Sequence, residues 1–167
     1  MKILAAVDGS EAAFSALRSS CMLANKLAAT VTAFYVNKGE EYSPDETGSL
    51  SLGERITEEL EARGQDTIRK SLAIGRTYDV AVEGMMSYGI PADEILKFVE
   101  AHGIIKLIVM AHSSMGRGTQ EFVESPTRAV ATRSRIPVLV TDAAEEIRRI
   151  LIAVDNSDLT KQVSRFG

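Results

Sequence analysis

The decapeptide Lys2-Ile-Leu-Ala-Ala-Val-Asp-Gly-Ser-Glu11 returns as Arg149-Ile-Leu-Ile-Ala-Val-Asp-Asn-Ser-Asp158, 147 positions further on and with six residues identical. Asp8 and Ser10 fall in register on Asp155 and Ser157, and Arg18 falls on Arg165. A chain that starts the same unit twice carries a repeat period, and that period bounds the domain before any local reading begins. The first copy has about 140 residues in which to complete a fold, whereas the second runs for one strand and roughly two helical turns. The expected organisation is one domain over residues 1–142, a charged linker over 143–148, and the truncated start of a second repeat over 149–167.

Bulk properties fit a single core of ordinary size. Of 167 residues, 45% are hydrophobic and 25% charged, the balance of a soluble globular domain. A net charge of −4 leaves no positive field to gather phosphates, so nucleic acid is not an expected partner. The single cysteine, Cys21, has no internal disulfide partner, and no Cys/His group has zinc-ligand spacing. Only five apolar residues precede Asp8, too few for a signal peptide core. No stretch approaches the roughly 18 apolar residues of a membrane span. The expected location is cytoplasmic, without a membrane partner.

Short apolar runs alternate with helical patterns along the first unit. Residues 3–7 form a continuous apolar run, as expected of a central strand covered on both faces. Ala13, Leu17, Cys21, Ala24 and Ala28 then keep the spacing of one helix face, which makes Cys21 a packed core thiol rather than a nucleophile. Residues 30–36, rich in β-branched and aromatic side chains, predict a second strand, and the polar segment 37–52 predicts a long mobile loop. From Gly53 to about Leu72 the stripe Ile56, Leu60, Ile68, Leu72 predicts an amphipathic helix, weakened at Gly64 by about 1 kcal/mol relative to alanine. Residues 78–85 read as an edge strand. Pro91, Asp93 and Glu94 suit the first turn of a helix that Gly103 closes, with His102 in its last turn in a structural role. Residues 104–110 predict another central strand, Ser125-Pro126 an N-cap and first residue of a helix reaching about Arg135, and residues 137–141 a last strand. This alternation implies a parallel sheet with helices on both faces, because right-handed crossovers leave few other arrangements.

Four segments together resemble the universal stress protein family: Ile3-Leu-Ala-Ala-Val-Asp8-Gly-Ser10, Gly89-Ile-Pro-Ala-Asp-Glu-Ile95, Leu107-Ile-Val-Met110 and Ser134-Arg-Ile-Pro-Val-Leu-Val140. Tandem members with two units in one chain exist in this family, in keeping with the repeat. The resemblance implies an α/β fold, Rossmann-like and similar to adenine nucleotide alpha hydrolases, with a five-stranded parallel sheet in the order 3-2-1-4-5. It also implies dimerisation, or pairing with a second domain, through the edge of the last strand. In ATP-binding members the nucleotide lies at the carboxyl ends of the strands, where open α/β sheets hold ligands.

The family's phosphate-binding pattern is a glycine, two residues, another glycine, nine residues, then Gly-Ser or Gly-Thr. Counted back from Pro137 without gaps, those positions hold Ala111, Ser114, Glu124 and Ser125, so all three glycines are replaced. Ala111 and Ser114 restrict the backbone that would approach a phosphate. Glu124 sets a carboxylate where an anion should sit at a helix start, and Pro126 removes an amino-terminal donor. Other positions keep their type. The resemblance puts Asp8 against a ribose or a metal and Val36 and Met110 beside an adenine, although each also reads as an ordinary strand end. Gly116 and Gly118, flanking Arg117, would meet a phosphate only in a gapped alignment. His112 beside Ser113 and Ser114 lacks an orienting carboxylate and does not define a triad. No Ser-Gly-Gly-x-Asp-Ser loop of an ATP pyrophosphatase follows the first strand.

The resulting expectation is a non-catalytic stress-response module acting through dimerisation or ligand sensing, its nucleotide site degenerate. The alternative is an ATP-binding or slowly ATP-hydrolysing member of the same family. The candidate ligand-contacting set is Asp8, Val36, Met110, Ala111, Ser114, Gly116, Gly118 and Ser125, with no metal ligand and no catalytic residue.

Overall fold

The computed structural model describes residues 1–38, 50–112, 125–141 and 144, with the backbone alone described for 50–57. The elements are β1 (Lys2–Ala6), α1 (Glu11–Leu27), β2 (Thr30–Asn37), α2 (Leu50–Thr77), β3 (Val82–Tyr88), α3 (Pro91–Ala101), β4 (Ile105–Met110), α4 (Pro126–Arg133) and β5 (Val138–Val140). All strands pair in parallel, as the alternation predicts, in the order β3-β2-β1-β4-β5 that the family resemblance implies. The proposed linker and second repeat lie outside the described residues, apart from Ala144.

Burial explains why β1, β2 and β4 are largely apolar. One face of the sheet packs Ile3, Ala5, Val7, Val31, Ala33, Tyr35 and Val109 against α1 and α2. The other packs Leu4, Phe34, Ile108 and Met110 against α3 and α4. Each large side chain so enclosed contributes about 1.5–3 kcal/mol relative to exposure. On α1, Ala13, Leu17, Cys21 and Ala24 are buried as their spacing predicts. Ala28 is not: it is the exposed left-handed residue, at φ 48°, that ends the helix. Ser10 caps the start of α1, its Oγ accepting from the Ala13 amide at 3.2 Å.

The second helix departs most from the sequence reading. It is longer than the pattern indicated, and the predicted loop loses its two ends, Asn37 to β2 and residues 50–52 to α2. Its buried line is Gly64, Thr67, Ser71 and Gly75, with Ile68 and Ile74 partly buried beside it. Thr67 and Ser71 lie in this interface because each hydroxyl donates back to a carbonyl of its own helix, Arg63 and Thr67 respectively, at 2.8 Å. Gly64 is one of the points where the helix comes close to the sheet. A Cβ there would lie 2.5 Å from Met86 Cε and 2.9 Å from Tyr35 Cε1, so its cost in helix propensity accompanies a close approach.

Strand β3 starts four residues later than expected but does lie at the sheet edge. An ion pair fastens it across β2. Lys2 Nζ donates to Glu83 Oε1 at 2.6 Å, and Thr32 Oγ1 donates to the same oxygen at 2.8 Å. The hydrogen bonds from Lys2, then from Thr32, hold the Glu83 carboxyl below its ordinary pKa of 4.5. A depressed carboxyl stabilises the fold above its unfolded pKa, and that stability is lost as pH falls through the lowered folded value. Because the Glu83 side chain is half exposed, Glu83→Gln is expected to cost under about 1 kcal/mol at pH 7 and nothing at pH 2, measured by urea unfolding at both pH values.

Candidate functional site

The carboxyl ends of β2, β1 and β4 lie side by side, and the start of α4 is tied to the end of β4. Val7 N donates to Phe34 O at 2.9 Å, which continues the β1–β2 ladder past its last registered pair, Ala6 with Phe34. Asp8 therefore leaves the sheet level with Val36. Its side chain is exposed, and Oδ1 accepts from the Ser10 amide at 2.9 Å. That bond shapes the turn into α1. Gly9 completes the turn at φ +86°, a conformation suited to glycine; a Cβ would also lie 2.9 Å from Thr67 Oγ1.

Val36, half-buried, and Met110, 5% exposed, belong to the apolar cluster on the α3/α4 face. Asp8 lies beyond the end of β1, exposed and in the turn that leads to α1. Ala111 follows β4, partly buried, and its carbonyl accepts from Thr127 Oγ1 at 3.0 Å. Thr127, absent from the sequence selection, ties the end of β4 to the first turn of α4. Its place beside Ser125-Pro126 was a signal for capping, not for this cross-link.

The start of α4 is arranged for the helix itself. Ser125 is the N-cap, its Oγ accepting from the Arg128 amide at 3.2 Å, and Pro126 occupies the first turn without an N–H. Anion binding at a helix start depends on free amide donors. Here one is missing and another is bonded to Ser125. Ser114, Gly116, Gly118 and Glu124 lie outside the described residues. Among the described residues no group of His, Cys, Asp and Glu side chains could hold a metal ion, and no helix is long and apolar enough to cross a membrane.

One functional-looking feature was missed in the sequence. Asn37, the last residue of β2, is 3% exposed, and its Oδ1 is the only buried side-chain polar atom without a hydrogen-bond partner among the described residues. A run of apolar residues leading to an asparagine reads as a strand end, so its burial was not visible beforehand. His102 instead follows its expected structural role. Its Nδ1–H donates to the Phe98 carbonyl at 2.8 Å, and its ring stacks on Phe98, with centroids 4.1 Å apart.

Residues 1–142 match the model of the universal stress protein family. Universal stress protein MJ0531 of Methanocaldococcus jannaschii is 30% identical over 141 residues, which cover 83% of this chain and 80% of that protein. The solved universal stress protein UspA from Lactobacillus plantarum is similar at a TM-score of 0.70 and 26% identity, over 84% of this chain and 97% of that one. A universal stress protein from Archaeoglobus fulgidus, solved in complex with dAMP, is similar in fold at a TM-score of 0.62 and 21% identity, over 84% of this chain and 96% of its own. Many nucleotide-binding proteins use a parallel sheet of this kind, but here the sequence pattern and the sheet agree from the first strand to the fifth, and the chain belongs to the universal stress protein family.

Proposed function

We propose that this chain is a non-catalytic, ligand-sensing stress-response module whose cleft keeps its base and sugar end and has lost its phosphate end. The start of α4 carries this reading: Pro126 supplies no amide, and Ser125 caps its own helix. Glu124, which precedes Ser125 in the sequence, adds a negative charge to the segment leading into that helix, which disfavours an anion there. Calorimetry with Mg-ATP is expected to give a dissociation constant weaker than ~100 μM, under about 6 kcal/mol of binding free energy. Sub-micromolar binding would overturn the reading. Glu124→Gly combined with Pro126→Val is expected to tighten ATP binding, because it removes a repulsive charge and restores a donor.

A second reading, binding or slow hydrolysis of ATP, draws support from the A. fulgidus relative solved with dAMP and from the exposed Asp8, which could meet a ribose or a metal. Release of inorganic phosphate from Mg-ATP by the purified protein, abolished in Asp8→Ala, would favour it.

Assembly is the other half of the proposal. Strand β5 lies at the open end of the sheet, and Val140 is 38% exposed there. Such an edge invites pairing with a second copy, or with the second repeat suggested by residues 149–158. Light scattering is expected to give a dimer mass at tens of micromolar, and Val140→Lys a monomer mass. A monomeric parent protein would count against this use of the edge. The module is proposed to work in the cytoplasm, without nucleic-acid or membrane partners.

A further inference from the structure

Strand β3 borders the sheet on the side opposite β5, and no described strand lies beyond it. The hydrogen bonds at its two ends fix which backbone groups face β2: Val31 N donates to Ala81 O at 3.0 Å, and Gly89 N donates to Asn37 O at 2.9 Å. Parallel pairing alternates, so the odd residues from 81 to 89 engage β2, while Val82, Gly84, Met86 and Tyr88 turn their N–H and C=O groups outward. Edge strands are ordinarily protected by lysine, proline, a bulge or shortness. This one has none of these. It runs for seven residues, Val82–Tyr88, without lysine or proline, and its register with β2 is unbroken. Its one charge, Glu83, is turned back to Lys2 and Thr32, while Met85 and Tyr88 are 41% and 55% exposed.

We propose that this border pairs with a second copy of itself, antiparallel about a two-fold axis at Met85. That register engages all four outward residues, Val82 with Tyr88 of the second copy and Gly84 with Met86. It sets an aromatic ring against a β-branched side chain, Glu83 against Ser87 and Met85 against itself, so no like charges meet along the strands. The helices agree. On the sheet face that it covers, α2 spans both border strands, with Gly64 against Tyr35 and Met86 and Gly75 against Val82. At a strand spacing of about 4.8 Å, the axis brings the two copies of α2 side by side, antiparallel and about 10 Å apart, an ordinary helix-packing distance. Residues 58–63 carry three carboxylates and one guanidinium, whereas residues 66–76 carry three cations and one carboxylate. Tyr88 at the carboxyl end of β3 bonds to Glu61, and Val82 at the other end faces Gly75. The axis therefore lays the acidic half of each α2 along the basic half of its counterpart. The exposed Glu58, Glu59 and Glu61 come opposite the exposed Arg69, Lys70 and Arg76. This contact is separate from the β5 border and from the cleft.

Disulfide trapping on the intact chain carrying Val140→Lys, in which lysine blocks the β5 border, tests this. With Met85→Cys added, oxidised glutathione is expected to link two copies at least about tenfold faster than with Gly103→Cys added, because a residue on the axis faces its own copy. Cys21 is fully enclosed and does not compete. Sedimentation of Val140→Lys is expected to shift toward a dimer mass at ~0.5 mM, a shift that Met85→Lys removes and ~1 M sodium chloride weakens. Melting temperatures close to the parent's show the variants folded. Equal trapping of the two cysteines overturns the inference, as does a monomer mass at that concentration. An association that Met85→Lys leaves intact belongs to another surface and overturns it too. A dimer mass for Val140→Lys already at ~10 μM, lost on adding Met85→Lys, would uphold this border while overturning the reading of β5.

Discussion

Gly75→Val is expected to lower the unfolding free energy by about 3 kcal/mol or more and the melting temperature by roughly 6–12 °C. A Cβ at Gly75 would lie 2.3 Å from Val82 Cγ2, 2.8 Å from Val82 Cβ and 3.0 Å from the Val80 carbonyl oxygen. Side chains can turn aside, but Val80 O is backbone, and the amide of the same residue donates to the Gly75 carbonyl at 3.0 Å. The segment leaving α2 is thus hydrogen-bonded to the position that would have to move. Two effects compete in Gly75→Ala. Alanine gains about 1 kcal/mol of helix propensity, and the clash with Val82 opposes it. With two contacts below 3.0 Å the clash is expected to win, so Gly75→Ala should also destabilise. Gly103 is the control, because a Cβ there meets nothing within 4 Å, and Gly103→Ala is expected to change stability by under about 0.5 kcal/mol. Urea unfolding of the three variants checks the set, and a stabilised Gly75→Ala would refute the close approach.

Cys21 is expected to resist alkylation in the native protein by at least about a hundredfold at pH 8, relative to the unfolded chain. The thiol is fully enclosed on the inner face of α1, and burial pushes its pKa up from 9.0 to about 11. Two units fewer of ionisation at pH 8 account for about a hundredfold loss of the nucleophilic thiolate, before any loss of access. The stability consequence has a definite sign. A thiol whose folded pKa is raised stabilises the native state fully below pH 9, and that contribution disappears as pH rises from 9.0 through about 11. Iodoacetamide labelling followed by mass spectrometry, with and without denaturant, measures the first effect. Comparison of Cys21→Ala with the parent protein at pH 8 and pH 10.5 measures the second, the parent losing more stability over that interval.

The enclosed strands and the helix starts were legible in the residues themselves, whereas the strand order came from the family resemblance. The continuous apolar run at residues 3–7 and the run at 104–110, broken only by Lys106, identify strands enclosed on both faces, and Pro91 and Pro126 mark helix starts through a missing amide that a first turn does not need. The contact face of α2 was not legible for a physical reason. Sequence periodicity registers apolar size, whereas this face is set by closeness, and closeness selects glycine, serine and threonine, which periodicity scores as gaps. Ala28 shows the same limit at smaller scale: its spacing continues the buried face, but the helix ends there and turns it outward.

At the candidate site, residue types were legible and their engagements were not. Asp8 could be chosen by position, yet its bond to the Ser10 amide depends on the turn at Gly9, and Ser125 could be chosen as a cap without knowing that Thr127 would bind Ala111. Asn37 is the instructive omission. An asparagine after Val36 suggests the start of a loop, and only the pairing of β2 with β3 through Tyr88 draws it inside.

The two borders of the sheet differ in length, seven residues in β3 and three in β5. A partner aligned along β5 gains only a few ladder bonds, too little backbone to hold two copies or to dictate which copy comes. In the proposed pairing, recognition at that border would fall to the side chains around Val140, and exchange of partners is expected to respond to single substitutions there.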